Sequence, residues 1–344
     1  TPKETQTIDT PRQLCWTRFS HDGKLLLGGG YDGLIRRWDF AAETPVEIAP
    51  IEGFQGWAQA FAMHPSEPLV FVGDSWGRLA CYSYAEEKPQ PKWDTESSHD
   101  GWIRTLSITP DGERLDSPGN ARQLRVHDAA NGKLLHEVEV SENDIFAVAI
   151  HPDGKTAVTG DVFCKLKVWD LETGKLLREI DASAMHYYDR DQDVCGLRVL
   201  QFHEDGKTLL AAGAEPTSAG RGHGVPVVHF FDWKTGERAR RREQGNSNDW
   251  FVDDLVLHPD GFFMSVTTGQ PGKGKMIFQR QDEEKPFVEY TKMSNTHSIA
   301  LKSDGKQFVV AATNRNSQGN GAVKDTEGAY LGNFSPLHVF EFGG

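Results

Sequence analysis

The sequence contains no long hydrophobic run and has fewer basic than acidic residues. No apolar stretch approaches the roughly 20 residues that a membrane helix needs, so we expect no membrane span. The 37 Lys and Arg residues are outnumbered by 50 Asp and Glu residues, which gives a formal charge of −13. Nonspecific nucleic-acid binding depends on neutralisation of phosphates by Lys and Arg. The charge therefore argues against nucleic acid and favours a basic partner.

Cysteine is scarce, with only four residues in the chain: Cys15, Cys81, Cys164 and Cys195. No CxxC pair exists, so we expect small, mostly buried hydrophobic side chains and no zinc site. Unpaired thiols favour a reducing, cytoplasmic compartment. The chain begins at Thr1 and not at methionine, so export after removal of a signal peptide stays open. Membership of a larger assembly or a longer polypeptide stays open as well.

The motifs of several enzyme classes are also missing. The sequence has no CxxCH for covalent haem, no nucleophile elbow, and no His and carboxylate cluster at metal-ligand spacing. Asp189, Asp191 and Asp193 alternate as in a calcium loop, but without the glycine and glutamate that such a loop requires. The segment 220–224 resembles a phosphate loop, yet no helix follows it. Solvated loops are the favoured interpretation, and we expect no catalytic residue, no metal and no cofactor.

One stretch, Ala147 to Asp181, contains a complete structural unit. It reads AVAIHPDGKTAVTGDVFCKLKVWDLETGKLLREID. Short runs of alternating apolar residues are separated by the turn signals HPDG, GD and ETG. Valine, threonine and isoleucine pack well on a pleated surface, and glycine tolerates the turn conformations. The pattern predicts four antiparallel strands joined by tight turns.

This four-stranded unit recurs seven times. Its first turn aligns at separations of 44, 45, 42, 52, 55 and 44 residues, and an apolar residue lies three positions before each turn. The first turns are Asp22-Gly23, Ser66-Glu67, Asp111-Gly112, Asp153-Gly154, Asp205-Gly206, Asp260-Gly261 and Asp304-Gly305. A period near forty residues is typical of propeller blades. We therefore predict an all-β, seven-bladed β-propeller with four antiparallel strands per blade.

The third strands carry a family resemblance. Trp38-Asp39 and Trp169-Asp170, together with the HPDG turns, resemble WD-repeat proteins, and the resemblance extends over nearly the whole chain. The repeats are degenerate, since most blades replace the Trp-Asp pair, as in His127-Asp128, and they resemble WD repeats of bacterial type. Gly56-Trp57 and Gly101-Trp102 stand where the family has a Gly-His step. The resemblance implies a seven-bladed propeller that serves as an interaction platform.

The domain organisation follows from the repeats. Closed all-β repeat folds run long as one domain, so we expect a single propeller over residues 1–344. The predicted blade cores are 12–51, 56–94, 101–140, 144–181, 194–243, 250–291 and 296–342. Lys3–Asp9 precedes the first blade and resembles a fourth strand, and the last blade lacks one. We expect Lys3–Asp9 to be the outermost strand of blade seven, which closes the ring and removes an exposed edge.

One residue per blade, seven positions before each first turn, is expected at the mouth of the central channel. These residues are Cys15, Gln59, Arg104, Phe146, Arg198, Asp253 and His297. The polar candidates for binding a small anion there are Arg104, Arg198, Asp253 and His297. A hydrated polar mouth is the favoured interpretation, because no pair among them has an evident nucleophile–base relation.

Long insertions in blades five to seven predict a binding face. They comprise residues 181–194, 213–226, 268–275 and 313–336, and loops this long are usually functional. Links between blades and turns between second and third strands emerge on the same face of a propeller. Aromatic residues and arginine, which are enriched at interface hot spots, occur on this face. The candidate partner-binding residues are Trp57, Trp102, Tyr187, Tyr188, Arg190, Trp250, Phe251 and Arg315.

The opposite face has short turns with little apolar surface. A histidine precedes the first turn in several blades, at His64, His151, His203 and His258. The repeat places these residues far apart on the rim, so we expect side chains that stabilise turns and not a metal site.

The sequence therefore predicts a non-catalytic scaffold that binds a protein or peptide on the insertion-bearing face. Tyr187, Tyr188 and Trp250 are the expected anchors. Trp57 and Trp102 are also open to a structural interpretation, as rings that fill gaps between blades. The alternative function is a propeller enzyme or a small-anion-binding protein with a polar site at the channel mouth.

Overall fold

The computed structural model describes residues 2–96, 98–119, 123–139, 143–189, 191–217, 224–269, 273–314, 323–324, 330–331 and 333–343. These residues form seven four-stranded antiparallel sheets, which are the blades of one β-propeller, and two short hairpins. The predicted all-β, seven-bladed fold is confirmed. No helix in the described part of the chain is long and apolar enough to cross a membrane.

The first part of the chain supplies β1 and the strands of blades one to three. In chain order these strands are β1 (Pro2–Asp9), β2 (Leu14–Phe19), β3 (Leu25–Gly30), β4 (Ile35–Asp39), β5 (Val46–Ile51), β6 (Ala58–Met63), β7 (Leu69–Asp74), β8 (Leu79–Ser83), β9 (Pro91–Thr95), β10 (Ser107–Ile108), β11 (Arg114–Pro118), β12 (Gln123–Asp128) and β13 (Leu134–Glu139). Blades one, two and three comprise β2–β5, β6–β9 and β10–β13, each paired in sequence order.

The remaining strands build blades four to seven and the two hairpins. They are β14 (Ile145–Ile150), β15 (Thr156–Asp161), β16 (Lys165–Asp170), β17 (Leu176–Asp181), β18 (His186–Asp189), β19 (Gln192–Cys195), β20 (Leu197–Phe202), β21 (Thr208–Pro216), β22 (Gly224–Asp232), β23 (Arg238–Glu243), β24 (Phe251–His258), β25 (Phe262–Thr268), β26 (Gly274–Arg280), β27 (Val288–Met293), β28 (Ser298–Leu301), β29 (Gln307–Ala311), β30 (Val323–Lys324), β31 (Tyr330–Leu331) and β32 (Pro336–Phe342). Blades four to six comprise β14–β17, β20–β23 and β24–β27, and blade seven has the order β1-β32-β29-β28.

The ring is joined where the first strand meets the last. β1 lies antiparallel to β32, with Pro2 opposite Phe342 and Asp9 opposite Pro336. The Glu4 carboxylate accepts a hydrogen bond from the Tyr290 hydroxyl at 2.8 Å. With β1 in place, blade seven has four strands like the other blades, and β32 has no unpaired edge.

Histidines fix the short turns on one face of the ring. His258 Nδ1 accepts a hydrogen bond from the backbone N–H of Asp260 at 3.1 Å, and its Nε2 lies 2.9 Å from the carbonyl oxygen of Gly305 in the next blade. His151 makes the equivalent contacts at 3.1 Å and 2.9 Å, within its own turn and to the next blade. Since the backbone donates to Nδ1, Nε2 carries the proton and donates across the blade boundary. The prediction that these histidines stabilise turns is confirmed.

A chain of hydrogen-bonded, buried polar side chains lies in blade three. The third strand of this blade ends in His127-Asp128 and not in a Trp-Asp pair. Ser117 Oγ lies 2.8 Å from His99 Nε2 and 3.1 Å from His127 Nε2. All three side chains are buried. His99, and not Trp102, therefore makes the buried contact at the entrance to this blade.

Asp116, in the second strand of blade three, is an isolated buried carboxyl group. Its side chain is 0% exposed, and neither carboxylate oxygen has a hydrogen-bond partner among the described residues. It stands opposite Val126 in the neighbouring strand. Burial disfavours the charged form and raises the pKa of Asp116 to about 8. The group is therefore protonated at neutral pH in the folded protein.

The link between blades four and five brings two cysteines together. It consists of a single 3₁₀ turn, Ser183–Met185, followed by the β18–β19 hairpin. Cys195 at the end of this hairpin and Cys164 in the turn between the second and third strands of blade four are buried, and their Sγ atoms are 3.4 Å apart. Both are free thiols. The turn at Cys164 has a left-handed backbone, with φ of 55°.

Candidate functional site

The first strands of the blades surround a central channel that contains a cavity of about 660 Å³. All residues predicted at its mouth line this cavity: Cys15, Gln59, Arg104, Phe146, Arg198, Asp253 and His297. The repeat gives each blade one such position, and the ring brings the seven positions to one place. Their role in binding a ligand stays a prediction.

Arg104 is ordered by two aromatic rings. Its guanidinium carbon lies 4.8 Å from the ring centroid of Phe146 and 5.1 Å from that of Trp102. The Asp144 carboxylate approaches its Nη2 at 3.7 Å, and both side chains are partly exposed. An exposed pair at this distance is weak, so the aromatic rings dominate the position of the guanidinium.

Arg198 is held by an aromatic ring and by backbone carbonyl groups. Its guanidinium carbon lies 4.1 Å from the ring centroid of Phe251. Its Nη1 donates hydrogen bonds to the carbonyl oxygens of Cys195 at 2.7 Å and Leu197 at 3.0 Å. Phe251, predicted as a partner-binding residue, therefore supports this arginine beside the channel.

A charged pair inside the channel was missed by sequence reasoning. Arg18 donates two hydrogen bonds to the Asp254 carboxylate, at 2.7 Å and 2.8 Å. Asp254 also accepts from Ser298 Oγ at 2.9 Å and from the backbone N–H of Ile299 at 3.0 Å. The pair ties blades one, six and seven together and leaves both charges paired. No local sequence pattern predicts this pair, because the two residues are 236 positions apart in the chain.

Asp253 lies next to this pair but has no arginine hydrogen-bonded to its carboxylate among the described residues, and its pKa is raised. Burial raises the pKa of Asp253 to about 6, although a hydrogen bond from Thr268 and the charge of Arg198 oppose the shift. Its Oδ2 is buried and has no hydrogen-bond partner among the described residues. Asp253 is thus an incompletely satisfied acid at the channel mouth.

Three further titratable groups beside Asp253, those of Cys15, Tyr31 and His297, are neutral at pH 7. Burial raises the pKa of Cys15 to about 12 and that of Tyr31, whose hydroxyl end lies against Cys15, also to about 12. Burial lowers the pKa of His297, and its Nδ1 lies 3.1 Å from the carbonyl oxygen of Asn295, so Nδ1 carries the proton. A thiol with so high a pKa is a poor nucleophile, since the thiolate is the reactive form.

An aromatic row crosses the mouth face of blades one to three. The ring centroids of Tyr31 and Trp57 are 4.9 Å apart, and those of Trp57 and Trp102 are 5.4 Å apart. Tyr31 is 43% exposed and Trp57 is 40% exposed. Tyr31 lies in the turn between the second and third strands of blade one, and the two tryptophans lie in links between blades. We call Tyr31, Trp57 and Trp102 the aromatic row; sequence reasoning identified both tryptophans and missed Tyr31.

The remaining predicted anchors occupy two other places. Tyr187 and Tyr188 are in β18, where Tyr188 is 64% exposed. Trp250 lies at the channel mouth, with a left-handed backbone (φ of 54°). Arg190 and Arg315 lie outside the described residues.

The described part of the chain contains no group of three or more His, Cys, Asp or Glu residues that could hold a metal ion. The turn histidines are directed to the neighbouring blade, and Asp254 is satisfied by its arginine. The described side chains at the channel mouth thus offer hydrogen bonds, aromatic faces and the incompletely satisfied carboxylate of Asp253. These groups suit the binding of a ligand or partner.

Comparison with known proteins agrees with the repeat pattern. The family profile "WD domain, G-beta repeat" matches residues 5–39 and 132–170. The chain is 29% identical over 126 residues to the nuclear distribution protein PAC1 of Arthroderma otae, Arthroderma benhamiae and Trichophyton verrucosum. Each match covers 32% of this chain and 27% of the relative, so the chain spans only about a quarter of the length of these relatives.

The matched repeats coincide with structural units. Residues 5–39 include the second part of β1 and all of β2 to β4, and residues 132–170 include β13 to β16. The seven four-stranded blades extend the same unit around the ring. The chain therefore contains repeats that match the WD-repeat family, and it folds as a seven-bladed β-propeller that resembles the WD-repeat proteins.

Proposed function

We propose that the protein is a non-catalytic scaffold that binds a protein or peptide on the face of the propeller around the channel mouth. WD-repeat propellers commonly serve as scaffolds for protein interaction. The observation that carries the proposal is the aromatic row, because exposed tryptophan and tyrosine side chains are enriched at interface hot spots. Ordered arginines, Arg104 and Arg198, lie beside the channel on the same side.

The partner is expected to be basic. The chain carries a formal charge of −13, and complementary charge steers association. Rigid aromatic rings supply contact area at low conformational cost, since their neighbours already order them. Trp57 packs between Tyr31 and Trp102, and Arg104 continues the row towards the channel. Such a surface suits an extended segment of a basic protein.

The predicted partner-binding set extends beyond the aromatic row. Tyr188 and Trp250 are proposed as further anchors, because the first is 64% exposed on the link hairpin and the second lines the channel mouth. Tyr187, a third proposed anchor, and Arg190, Phe251 and Arg315 complete the proposed set. Phe251 is expected to act through Arg198, which it supports.

The test begins with affinity capture from native lysate and continues with the dissociation constant of the identified partner. Trp57→Ala, Tyr188→Ala and Trp250→Ala are measured separately. Loss of an anchor should weaken binding by about 2 kcal/mol, roughly thirtyfold, with an unchanged melting temperature. Leu177→Ala, which removes a 55% exposed side chain from an outer strand of blade four, is the matched control and should bind as wild type. Wild-type affinity in all three anchor variants would show that this face is not the docking site.

The second candidate function is binding of a small anion, or catalysis, at the channel mouth. It is favoured by one observation, the convergence of Arg104, Arg198, Asp253 and His297 on a single cavity. The high pKa of the Cys15 thiol disfavours a thiolate nucleophile there. Thermal-shift measurements with small carboxylates and divalent metals test this candidate, and a rise of several degrees would support it over the scaffold.

A further inference from the structure

A second cavity, of about 400 Å³, opens at the mouth between blades six, seven and one. Tyr31, Trp250, Asp253, His297 and Asn333 are among its lining residues, and no lysine or arginine lines it within the described part of the chain. Cys15, Gln59, Asp253 and His297 line both cavities, whereas Arg104 and Arg198 line only the larger one. We call the second cavity the acidic pocket.

Two buried acceptor atoms in the acidic pocket lack a hydrogen-bond donor in the described part of the chain. Asp253 Oδ2 and Asn333 Oδ1 are buried there without a hydrogen-bond partner among the described residues. A buried acceptor that lacks a donor costs about 1–3 kcal/mol, and native structures retain few of them. His297 does not add to this deficit, because its ring hydrogen-bonds to the backbone of Asn295 and of Leu14.

The charge in the pocket comes from Asp253. The titratable side chains that line the pocket are Cys15, Tyr31, Asp253 and His297. The first two hold their protons well above neutral pH, and His297 is neutral. Arg198 belongs to the other cavity, where its guanidinium is committed to carbonyl groups and to Phe251. A ligand in the acidic pocket therefore meets acceptors, one carboxylate and the rings of Tyr31 and Trp250.

We propose that the acidic pocket binds a protonated nitrogen group, the guanidinium or ammonium of an arginine or lysine side chain, with Asp253 as its counterion. Such a group supplies the missing donors to Asp253 and Asn333 and can stack on the aromatic rings. The inference rests on the proposed function for the source of the cation, which is a basic segment docked on the same face. The formal charge of −13 favours such a segment.

The test is a binding titration of small-molecule probes with the full chain at pH 7.5. Binding is monitored through the NMR signals of the probe. The probes are Nα-acetyl-arginine methylamide, the corresponding lysine derivative, and the citrulline derivative, which keeps the shape of arginine without its charge. The cationic probes should bind with a dissociation constant on the order of 1 mM, and the citrulline probe at least tenfold more weakly. Spermidine is titrated in parallel; if it binds much more tightly than the amino-acid probes, the ligand is a free polyamine and the peptide source is wrong.

The variant is Asp253→Asn, which keeps the shape of the side chain. It should weaken binding of the cationic probes at least tenfold. Its control is Glu204→Gln, which removes an acid from the far end of the larger cavity and should leave binding unchanged. If Asp253→Asn does not fold, Asp253→Ser replaces it. Equal binding by wild type and the folded variant, equal binding of arginine and citrulline, or no binding at 50 mM probe would each overturn the proposal. Such a failure leaves the scaffold proposal untouched, because Trp57→Ala and Tyr188→Ala change residues outside the acidic pocket and test that function separately.

Discussion

The change Asp116→Asn tests whether the protein tolerates an unpaired acid inside blade three. The wild-type side chain is fully buried, and its carboxylate oxygens have no hydrogen-bond partner among the described residues. Burial raises the pKa of Asp116 from 3.8 to about 8. Folding at neutral pH must therefore take up a proton. Asparagine has nearly the same shape and needs no proton.

The magnitude follows from proton linkage. Because the pKa of Asp116 is higher in the folded state, its contribution to stability is fully present below pH 3.8 and is lost as the pH rises through about 8. Between these values the free energy of unfolding falls by about 1.4 kcal/mol per pH unit. From pH 5 to pH 7 the loss is about 3 kcal/mol. For a chain of 344 residues this corresponds to a decrease of roughly 4 °C in melting temperature.

The assay is calorimetric or circular-dichroism melting of wild type and variant at pH 5 and pH 7. Other groups also titrate in this range. The quantity compared is therefore the change in melting temperature between pH 5 and pH 7, wild type against variant. The wild type should lose roughly 4 °C more than Asp116→Asn over this range. Asp282→Asn, a change in an exposed turn, is the control and should follow the wild type. Identical pH dependence of wild type and Asp116→Asn would mean that Asp116 is ionised and paired in solution, which would refute the reasoning.

Two further predictions concern turns and thiols. Gly112 and Gly261 have nearly the same positive φ, 78° and 79°, but a Cβ on Gly112 would lie 2.2 Å from His64 Nε2, whereas one on Gly261 meets nothing within 4 Å. Gly112→Ala should therefore cost about 2 kcal/mol more than Gly261→Ala in urea unfolding, and equal losses would contradict this contact. Diamide should oxidise Cys164 and Cys195 to a disulfide, as two thiols lose two protons and two electrons and diamide becomes the hydrazine. Thiol titration of the unfolded product should find two free thiols in the wild type, and in Cys164→Ser all three remaining thiols.

The number of blades and the positions of their turns could be predicted from the sequence. Turn signals such as HPDG and alternating apolar runs act over a few residues, so their spacing alone defines four strands and a period near forty. The histidines before the turns were also predictable in their role. The contact from His258 to Gly305 repeats that from His151 to Gly206 because the repeat sets both.

The candidate site could be predicted only where it follows the repeat. One residue per blade at a fixed distance from a turn gave the lining of the channel, including Asp253 and Arg104. What surrounds those residues was not predictable. Phe146 and Trp102 order Arg104, and Thr268 donates to Asp253, but none of these pairings has a sequence signal.

The sequence by itself determined the blade, because strands and turns depend on propensities and spacings within about forty residues. Only the tertiary structure decided which side chains of different blades meet. Packing of the blades into a ring pairs Arg18 with Asp254, sets Trp57 edge-to-face against Tyr31, and brings Cys164 to Cys195. Each contact crosses a blade boundary, where the depth and rotation of one sheet against the next set the distance. Those two quantities come from packing of the whole ring, and no local run of residues encodes them.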